Sequence, residues 1–160
     1  MIFVTVGTHE QAFDRLIQGV DELIADGTIT EDVLMQIGYS TYEPKHAKWT
    51  KVIGYEEMRD LEEKATTIIT HGGPATIMAA ISSGKSPIVV PRQLQYAEHV
   101  NDHQIDFALK VQAAGYPIRL AKTISELKAL LQAPAVSAEV SDFQHNQEFM
   151  AGFERIISEL

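Results

Sequence analysis

The stretch TTIITHGGPATIMAAISSG, residues 66–84, contains the turn that decides the fold. It joins a β-branched run to a helix of small residues through the sequence His-Gly-Gly-Pro, residues 71–74. β-Branched runs favour strands, and proline at a first helical position gives up only an N–H that has no partner there. Residues 66–70 are therefore predicted to form a buried strand, and the following helix is predicted to end at Gly84.

Strands and helices alternate on both sides of this stretch. Short apolar runs predict five further strands, at residues 1–6, 32–38, 50–54, 86–91 and 117–120. Apolar positions with helical spacing predict helices between them: one opened by a capping box of Thr8 and Gln11, a charged one over 55–65, one ending near Gly115, and one opened by Thr123 and Glu126. This alternation is typical of an α/β, Rossmann-like open parallel sheet with helices on both faces.

Composition limits the functions that the chain can have. Its 160 residues, 45% of them hydrophobic, suit one domain with an ordinary core. A net charge of −9 disfavours a nucleic-acid surface, because binding phosphates takes clustered Lys and Arg. The sequence has no cysteine, which excludes disulfides and thiolate chemistry. No segment approaches the ~20 apolar residues of a spanning helix, so membrane contact is expected to be peripheral or through a partner.

The turn at residues 71–74 has the features of an anion site. Ligands of open parallel sheets bind beyond the carboxyl ends of the strands, where helices begin. Gly72 and Gly73 allow close approach of the backbone, and the free N–H groups and dipole of the next helix favour phosphate or diphosphate. Gly7 and Thr8 are predicted to form a second such site. The alternative is a tight turn in which His71 only caps a helix.

The long helix before Gly115 carries an amide on its apolar face. Its predicted apolar arc consists of Val100, Ile105, Phe107, Ala108, Leu109 and Val111. Gln104 falls inside this arc and must find a hydrogen-bond partner there. A ligand hydroxyl, a backbone group and a water molecule all remain open as that partner.

Two histidines on the same helix have a spacing that can bind zinc. His99 and His103 lie one turn apart, and a third ligand such as His71 or Glu98 would complete a site. The alternative is a solvated pair of histidines with no metal.

Two segments together resemble a known family. VTVGTHEQAFDRLI, residues 4–17, and ITHGGPATIMAAISSGKSPIVVPRQLQYAEHVNDHQIDFALKVQAAG, residues 69–115, resemble the C-terminal, donor-binding half of GT-B glycosyltransferases of glycosyltransferase family 28. The likeness covers about the first 130 residues. It is greatest to free-standing members: the small catalytic subunit of the eukaryotic N-acetylglucosaminyltransferase of dolichol-linked glycan assembly, and the paired bacterial enzymes of capsule and exopolysaccharide synthesis.

The resemblance implies a UDP-sugar donor and assigns residues to parts of it. The turn of His71, Gly72 and Gly73 would bind the diphosphate with Thr76, the Gly54–Tyr55 segment would contact uracil, Asp102 and Gln104 would contact sugar hydroxyls, and Gly7 and Thr8 would face the phosphates and the acceptor. Many relatives bind the ribose with an acid eight residues after the histidine, where this chain has Ala79. Glu98 is the candidate that would replace that acid.

The resemblance also implies a reaction. Direct displacement would invert the anomeric centre without metal or cofactor, with His9 as the candidate base in this chain unless the base lies on the other domain. A membrane-associated partner subunit would supply the acceptor-binding half and recruit the chain from the cytoplasm to the inner face of the membrane. There it would transfer galactose or N-acetylglucosamine to a lipid-diphosphate-linked acceptor in surface polysaccharide synthesis. The alternatives are a non-catalytic enhancer subunit that binds nucleotide sugar, and a metal-dependent hydrolase.

Residues 1–160 are thus expected to form a single donor-binding domain that ends in an amphipathic helix over 141–160. The apolar arc of that helix comprises Phe143, Phe149, Met150, Phe153, Ile156, Ile157 and Leu160. The arc packs either on its own sheet or on the partner subunit, and deletion of 141–160 followed by co-purification distinguishes the two.

Overall fold

A computed structural model describes residues 1–133, 152, 154–156 and 158. The strands are β1 (Ile2–Thr5), β2 (Val33–Gln36), β3 (Lys48–Thr50), β4 (Thr67–Thr70), β5 (Ile88–Val89) and β6 (Arg119–Leu120). The helices are α1 (Asp14–Ala25), α2 (Tyr55–Lys64), α3 (Pro74–Ser82), α4 (His103–Ala113) and α5 (Ile124–Gln132), with a 3₁₀ turn at Leu94–Tyr96. The predicted α/β, Rossmann-like fold is confirmed.

All strand pairs are parallel, and the sheet order is β3-β2-β1-β4-β5-β6. In the centre, Ile2 of β1 is aligned with Val33 of β2 on one side and with Thr67 of β4 on the other. The chain adds strands in one direction up to β3 and in the opposite direction from β4 onward. The carboxyl ends of β1 and β4 therefore border the crevice at which this class of sheet binds ligands.

Helices cover both faces of the sheet. Val4 and Ile69 point to the face that α1 and α5 cover, whereas Phe3 and Ile68 point to the face of α2 and α3. On that second face, Val89 of β5 packs in a cluster with α3 and α4. The central strands are buried on both sides, which explains their continuous apolar sequences.

The predicted strands differ from the structure in their bounds, and those over 1–6, 32–38 and 66–70 lose one to three residues at their ends. The third strand is Lys48–Thr50 rather than 50–54, because Trp49 packs against the core whereas Val52 is 74% exposed. The predicted strands 86–91 and 117–120 shorten to two residues each, since only those residues pair with a neighbouring strand.

The predicted capping box of Thr8 and Gln11 is wrong, because α1 begins only at Asp14. Phe13 is fully buried, and its N–H donates to the Ser40 hydroxyl at 3.1 Å. The Asp14 carboxylate in turn accepts from the backbone N–H of Thr41 at 2.7 Å. These contacts with a distant segment fix the start of the helix and leave residues 8–12 as a loop.

Other predicted helix ends are confirmed. Gly84 follows α3 with φ +79°, and its N–H donates to the Ile81 carbonyl at 3.0 Å. Thr123 caps α5, because its hydroxyl accepts from the Glu126 N–H at 3.1 Å.

The predicted apolar arc of α4 is only partly buried. Phe107, Ala108 and Val111 face the core. Val100 and Leu109 are 70% and 40% exposed, which corrects the prediction for both. Val100 precedes the helix, so helical projection does not apply to it.

Most of the predicted helix over 141–160 lies outside the described residues. Of its apolar arc the structure describes Ile156, which packs against the cluster formed by α3 and α4. Within the described part of the chain, no helix is both long enough and apolar enough to cross a membrane.

Candidate functional site

His71 lies where the loops after β1 and β4 meet. A Cβ atom on Gly7 would stand 2.6 Å from its Nε2 atom, and one on Gly73 would stand 2.5 Å from the same atom. Gly7 also has φ +73°, a conformation that side chains disfavour. The imidazole therefore packs directly against the backbone of both loops and joins them across the crevice.

His71 is neutral in this environment. The residue is 7% exposed, and its Nδ1 atom lies 3.4 Å from the Thr5 carbonyl oxygen and 3.2 Å from the Thr70 hydroxyl. Burial, with a smaller effect of the positive charge on Arg92, lowers the pKa of His71 to about 3. The residue positions the two loops and brings no positive charge to the crevice.

The N-terminus of α3 opens beside this histidine without a side-chain cap. Gly73 is the N-cap, and Pro74 occupies the first turn. The N–H groups of Ala75 and Thr76, in the same turn, have no acceptor within the helix. Together with the helix dipole, such groups favour an anion by about 0.3–2 kcal/mol per charge.

Arg92, just after β5, places a buried positive charge behind the crevice. Its guanidinium donates to the carbonyl oxygens of Val6 at 2.9 Å, Gln11 at 2.7 Å and Glu98 at 3.1 Å. The side chain is fully buried, and burial lowers the pKa of Arg92 to about 10, so it stays charged near neutrality. These hydrogen bonds join the β1–α1 loop to the loop after β5.

Gln36, the last residue of β2, fixes the other side of the Gly7 loop. Its Oε1 atom accepts from the Thr5 hydroxyl at 2.7 Å and from the Gly7 N–H at 3.2 Å. Its Nε2 atom donates to the carbonyl oxygens of Gly7 at 3.0 Å and Lys51 at 2.9 Å. One buried amide thus satisfies backbone groups from two loops.

Gln104 and Asp102 are placed differently from each other. The Gln104 Oε1 atom accepts from the backbone N–H of Arg92 at 3.1 Å, and its Cβ lies 3.6 Å from where a Cβ on Gly72 would stand. Its Nε2 atom has no hydrogen-bond partner among the described residues, so the amide group adjoins the turn with donors to spare. Asp102 is exposed and accepts from the Leu94 N–H at 2.9 Å.

Glu98, predicted to bind ribose, has hydrogen-bond partners within the protein. It is 3% exposed, and its two carboxylate oxygens accept from the Arg15 guanidinium at 2.9 and 3.0 Å. One of them also accepts from the Gln93 N–H at 3.2 Å. The carboxylate is therefore not available to a ribose in this arrangement.

His9 and His99 lie together, with their ring centroids 4.6 Å apart. Each Nδ1 atom accepts a backbone N–H, from Gln11 at 3.1 Å and from Asn101 at 3.4 Å. Burial is the largest of the effects that lower the pKa of both histidines. The neutral rings then carry their protons on Nε2, so His9 is placed to donate a hydrogen bond rather than to accept a proton.

The predicted zinc ligands do not form a cluster. Among the residues that the structure describes, no group of three or more His, Asp or Glu side chains could hold a metal ion. Of the proposed ligands, Glu98 pairs with Arg15, and the His99 Nδ1 atom accepts a backbone N–H.

The remaining predicted residues line two depressions, a cleft at the carboxyl edge of the sheet and a groove that runs along two helices. Gly7 and Thr8 line a cleft of about 560 Å³ at the ends of β1, β2 and β3, together with Trp49. Tyr55 and Thr76 line a groove of about 790 Å³ between α2 and α3, hereafter the α2–α3 groove.

Arg92, Gln36 and Glu62 are the residues that sequence reasoning missed. Each had a signal in the sequence. Arg92 comes two residues after an apolar run, and Gln36 is an amide inside an apolar run. Glu62 is an acid four residues after Met58, on the inward side of α2. Nothing in the local sequence identified the partners of Arg92 and Gln36 or the burial of Glu62.

Comparison with solved structures finds the same fold in larger proteins. The chain is 19% identical to the glycotransferase of kitacinnamycin (TM-score 0.65), with 99% of this chain and 43% of that chain covered. It is 14% identical to the calicheamicin glycosyltransferase CalG4 (TM-score 0.57; 97% and 36% covered) and 14% identical to the UDP-GlcNAc 2-epimerase of Methanocaldococcus jannaschii (TM-score 0.56; 99% and 45% covered). The chain thus spans less than half the length of these proteins.

The family is decided by a different comparison. Among curated proteins no match is found. The model of the glycosyltransferase family 28 C-terminal domain, however, matches residues 1–159, which is nearly the whole chain. The chain therefore belongs to glycosyltransferase family 28, of which it represents the C-terminal domain.

Proposed function

We propose that this chain is the donor-binding, catalytic subunit of an inverting UDP-sugar glycosyltransferase. The observation that carries the proposal is the N-terminus of α3, which opens uncapped at the crevice beside His71. Free first-turn amides and a helix dipole suit the diphosphate of a nucleotide sugar. Family membership supports the class of enzyme, a nucleotide-sugar transferase. The uncapped helix N-terminus supports the diphosphate as the part of the donor that binds here.

In this proposal the chain acts mainly on the leaving group. The acceptor hydroxyl forms a bond to the anomeric carbon from one face while the bond to UDP breaks on the other, which inverts the centre. Negative charge develops on the departing diphosphate, where the amides of Ala75 and Thr76 and the dipole of α3 stabilise it. Gln104 has amide donors beside Gly72 that suit a hydroxyl of the donor sugar, which is galactose or N-acetylglucosamine.

A second, membrane-associated subunit supplies the acceptor side in this proposal. The acceptor hydroxyl must lose a proton, whereas the His9 Nδ1 atom already accepts the Gln11 N–H and its other ring nitrogen carries the proton. The general base is therefore assigned to the partner. Recruitment by that partner would bring the chain from the cytoplasm to the inner face of the membrane. A lipid-diphosphate-linked saccharide of a surface polysaccharide would be extended there.

The protonation of His9, which leaves it without a nitrogen free to accept a proton, also favours a second candidate function. A chain that binds a nucleotide sugar without a base of its own fits a non-catalytic enhancer of another transferase. The two candidates make the same prediction for donor binding and differ in whether turnover depends on the His71 turn.

Calorimetric titration with UDP, UMP and uridine tests the donor site. Affinity is expected to fall from UDP to UMP to uridine, because each step removes charge from the N-terminus of α3. His71→Ala is expected to weaken UDP binding, since the turn loses the ring on which both loops pack. His46→Ala, an exposed histidine elsewhere, is the matched control. Equal affinity for UDP and uridine would contradict the proposal.

Reconstitution with the partner and a lipid-linked acceptor tests catalysis. In the catalytic case His71→Ala abolishes sugar transfer, whereas His46→Ala retains it. Transfer that persists in His71→Ala, measured at saturating UDP-sugar, would leave the enhancer function as the explanation.

A further inference from the structure

Glu62 is a buried carboxylate with no hydrogen-bond or ion-pair partner in the described part of the chain. It is 4% exposed and lies on the inward stripe of α2, whose other members, Met58, Leu61 and Ala65, contribute to an apolar cluster. No hydrogen bond or ion pair to it occurs among the described residues. Burial raises the pKa of Glu62, and the positive charge of Arg59 offsets only part of this effect. The carboxylate oxygens are not among the fully buried unpaired atoms, so they open to the solvent side of the groove, where a ligand can reach them.

The space beside Glu62 is the α2–α3 groove. The groove starts at the first residues of both helices, Tyr55 and Pro74, and extends past Thr76 and Ala79 to Ser83 at the end of α3. Its volume of about 790 Å³ is within the range of small-molecule sites. On the α3 wall of the groove, Ala79 offers no side-chain hydrogen-bond donor, and the Ser82 and Ser83 hydroxyls farther along it do not hydrogen-bond to Glu62.

The position of the groove relates it to the diphosphate site. Thr76, in the first turn of α3, both lines the groove and belongs to the proposed anion site. A nucleoside attached to a diphosphate there can extend into the groove. Glu62, the eighth residue of α2, lies about 10 Å along the groove from the opening at Tyr55, a distance that a nucleoside attached to the diphosphate spans.

An ionised carboxylate only accepts hydrogen bonds, so its ligand must supply donors. Two neighbouring hydroxyls match its two oxygens. We propose, resting on the proposed function, that Glu62 binds the 2′- and 3′-hydroxyls of the donor's ribose in the α2–α3 groove. The competing location for the nucleoside is the cleft beside Trp49, and the experiment must separate the two.

The experiment compares the affinities of UDP and 2′-deoxy-UDP for the full chain. The wild-type protein is expected to bind UDP roughly 10- to 100-fold more tightly, the effect of one hydrogen bond to a charged group. Glu62→Gln and Glu62→Ala are expected to reduce this ratio to about 3 or less. Asp60→Asn, an exposed acid on the opposite side of α2, should keep the wild-type ratio.

Several outcomes would overturn the assignment. It fails if the wild type does not distinguish the two nucleotides, or if Glu62→Gln weakens both equally, which is the result of a purely structural role. If Glu62→Gln still prefers UDP to 2′-deoxy-UDP, and UDP strongly quenches the fluorescence of Trp49, the single tryptophan, the nucleoside binds in the cleft beside Trp49 instead. If the wild type binds UDP and 2′-deoxy-UDP equally well, the ribose assignment fails and the proposed function stands. If it binds no uridine nucleotide, both the assignment and the proposed function fail. Thermal melting verifies that each variant is folded.

Discussion

The Nε2 atom of His71 lies 2.5 Å from the position that a Cβ atom on Gly73 would occupy. This is closer than a side chain can approach, so the residue before α3 must be glycine as long as the ring stays in place. The same ring contacts the Gly7 backbone across the crevice. Two loops that come from different parts of the chain are thus fixed as one unit around a neutral imidazole.

Gly73→Ala should destabilise the protein and weaken UDP binding. Its backbone φ of −67° is ordinary, so the whole effect comes from the clash with His71. Overpacking of this kind costs about 1–3 kcal/mol. Gly54→Ala is a matched control, because Gly54 is also an N-cap with φ −67° and nothing lies within 4 Å of its Cβ position. Urea denaturation measures both, and equal changes in the two variants would show that the ring moves aside freely.

The low pKa of His71 predicts a stability loss on acidification. Between pH 6.5 and about pH 3 the unfolded chain binds a proton at this residue and the folded chain does not. The free energy of unfolding therefore falls as pH falls through this window, by up to about 1.4 kcal/mol per pH unit from this group.

His71→Asn isolates that contribution from those of the carboxylates. The variant is expected to be less stable than wild type near pH 7, with the difference shrinking as pH falls toward 4. Denaturant titrations across this range measure it. A difference that stays constant with pH would mean that His71 is protonated in the folded state.

Gln36→Glu should loosen the Gly7 loop. The substitution replaces an amide N–H₂ that donates to two carbonyl oxygens, those of Gly7 and Lys51, with an oxygen that repels them. We expect a loss of about 2–4 kcal/mol, since leaving one buried polar group unpaired costs about 1–3 kcal/mol. Gln112→Glu, an exposed change of the same chemistry in the last turn of α4, should cost no more than about 1 kcal/mol in the same denaturation assay, the effect of a negative charge at a helix C-terminus. Similar stability of the two variants would contradict the role assigned to Gln36.

Arg92→Lys should destabilise the loops although it keeps the charge. The guanidinium donates in three directions, to Val6, Gln11 and Glu98, and a lysine ammonium on a shorter, unforked stem cannot reproduce that geometry. We expect a loss of about 2–4 kcal/mol on denaturation, together with weaker UDP binding. Arg59→Lys, an exposed arginine on α2, is the control for stability. An unchanged melting transition in Arg92→Lys would show that charge alone suffices.

The sequence predicted the candidate site best where its signal was local. His71, Gly72 and Gly73 are found at the end of β4, where the pattern of strand, glycines, proline and helix placed them. Glu98 shows the opposite case, because its partner Arg15 is 83 residues away. A local pattern carries no information about such a partner.

The same reasoning explains the error at α1. Thr8 and Gln11 have the spacing of a capping box, which is a local signal. In the folded protein the start of the helix is set by Ser40 and Thr41 through their contacts with Phe13 and Asp14. Tertiary contacts override a weak local preference when they satisfy more buried groups.

By itself, the sequence determined the order of strands and helices, the parallel sheet and the glycine turn after β4, because hydrophobic period and turn chemistry act over a few residues. Only the tertiary structure decided which polar groups meet. Gln36 and Arg92 find backbone partners as far as 30 and 86 residues away, and Glu62 is left facing an open groove. Buried hydrogen bonds are chosen by what packing brings within about 3 Å, which no local pattern encodes.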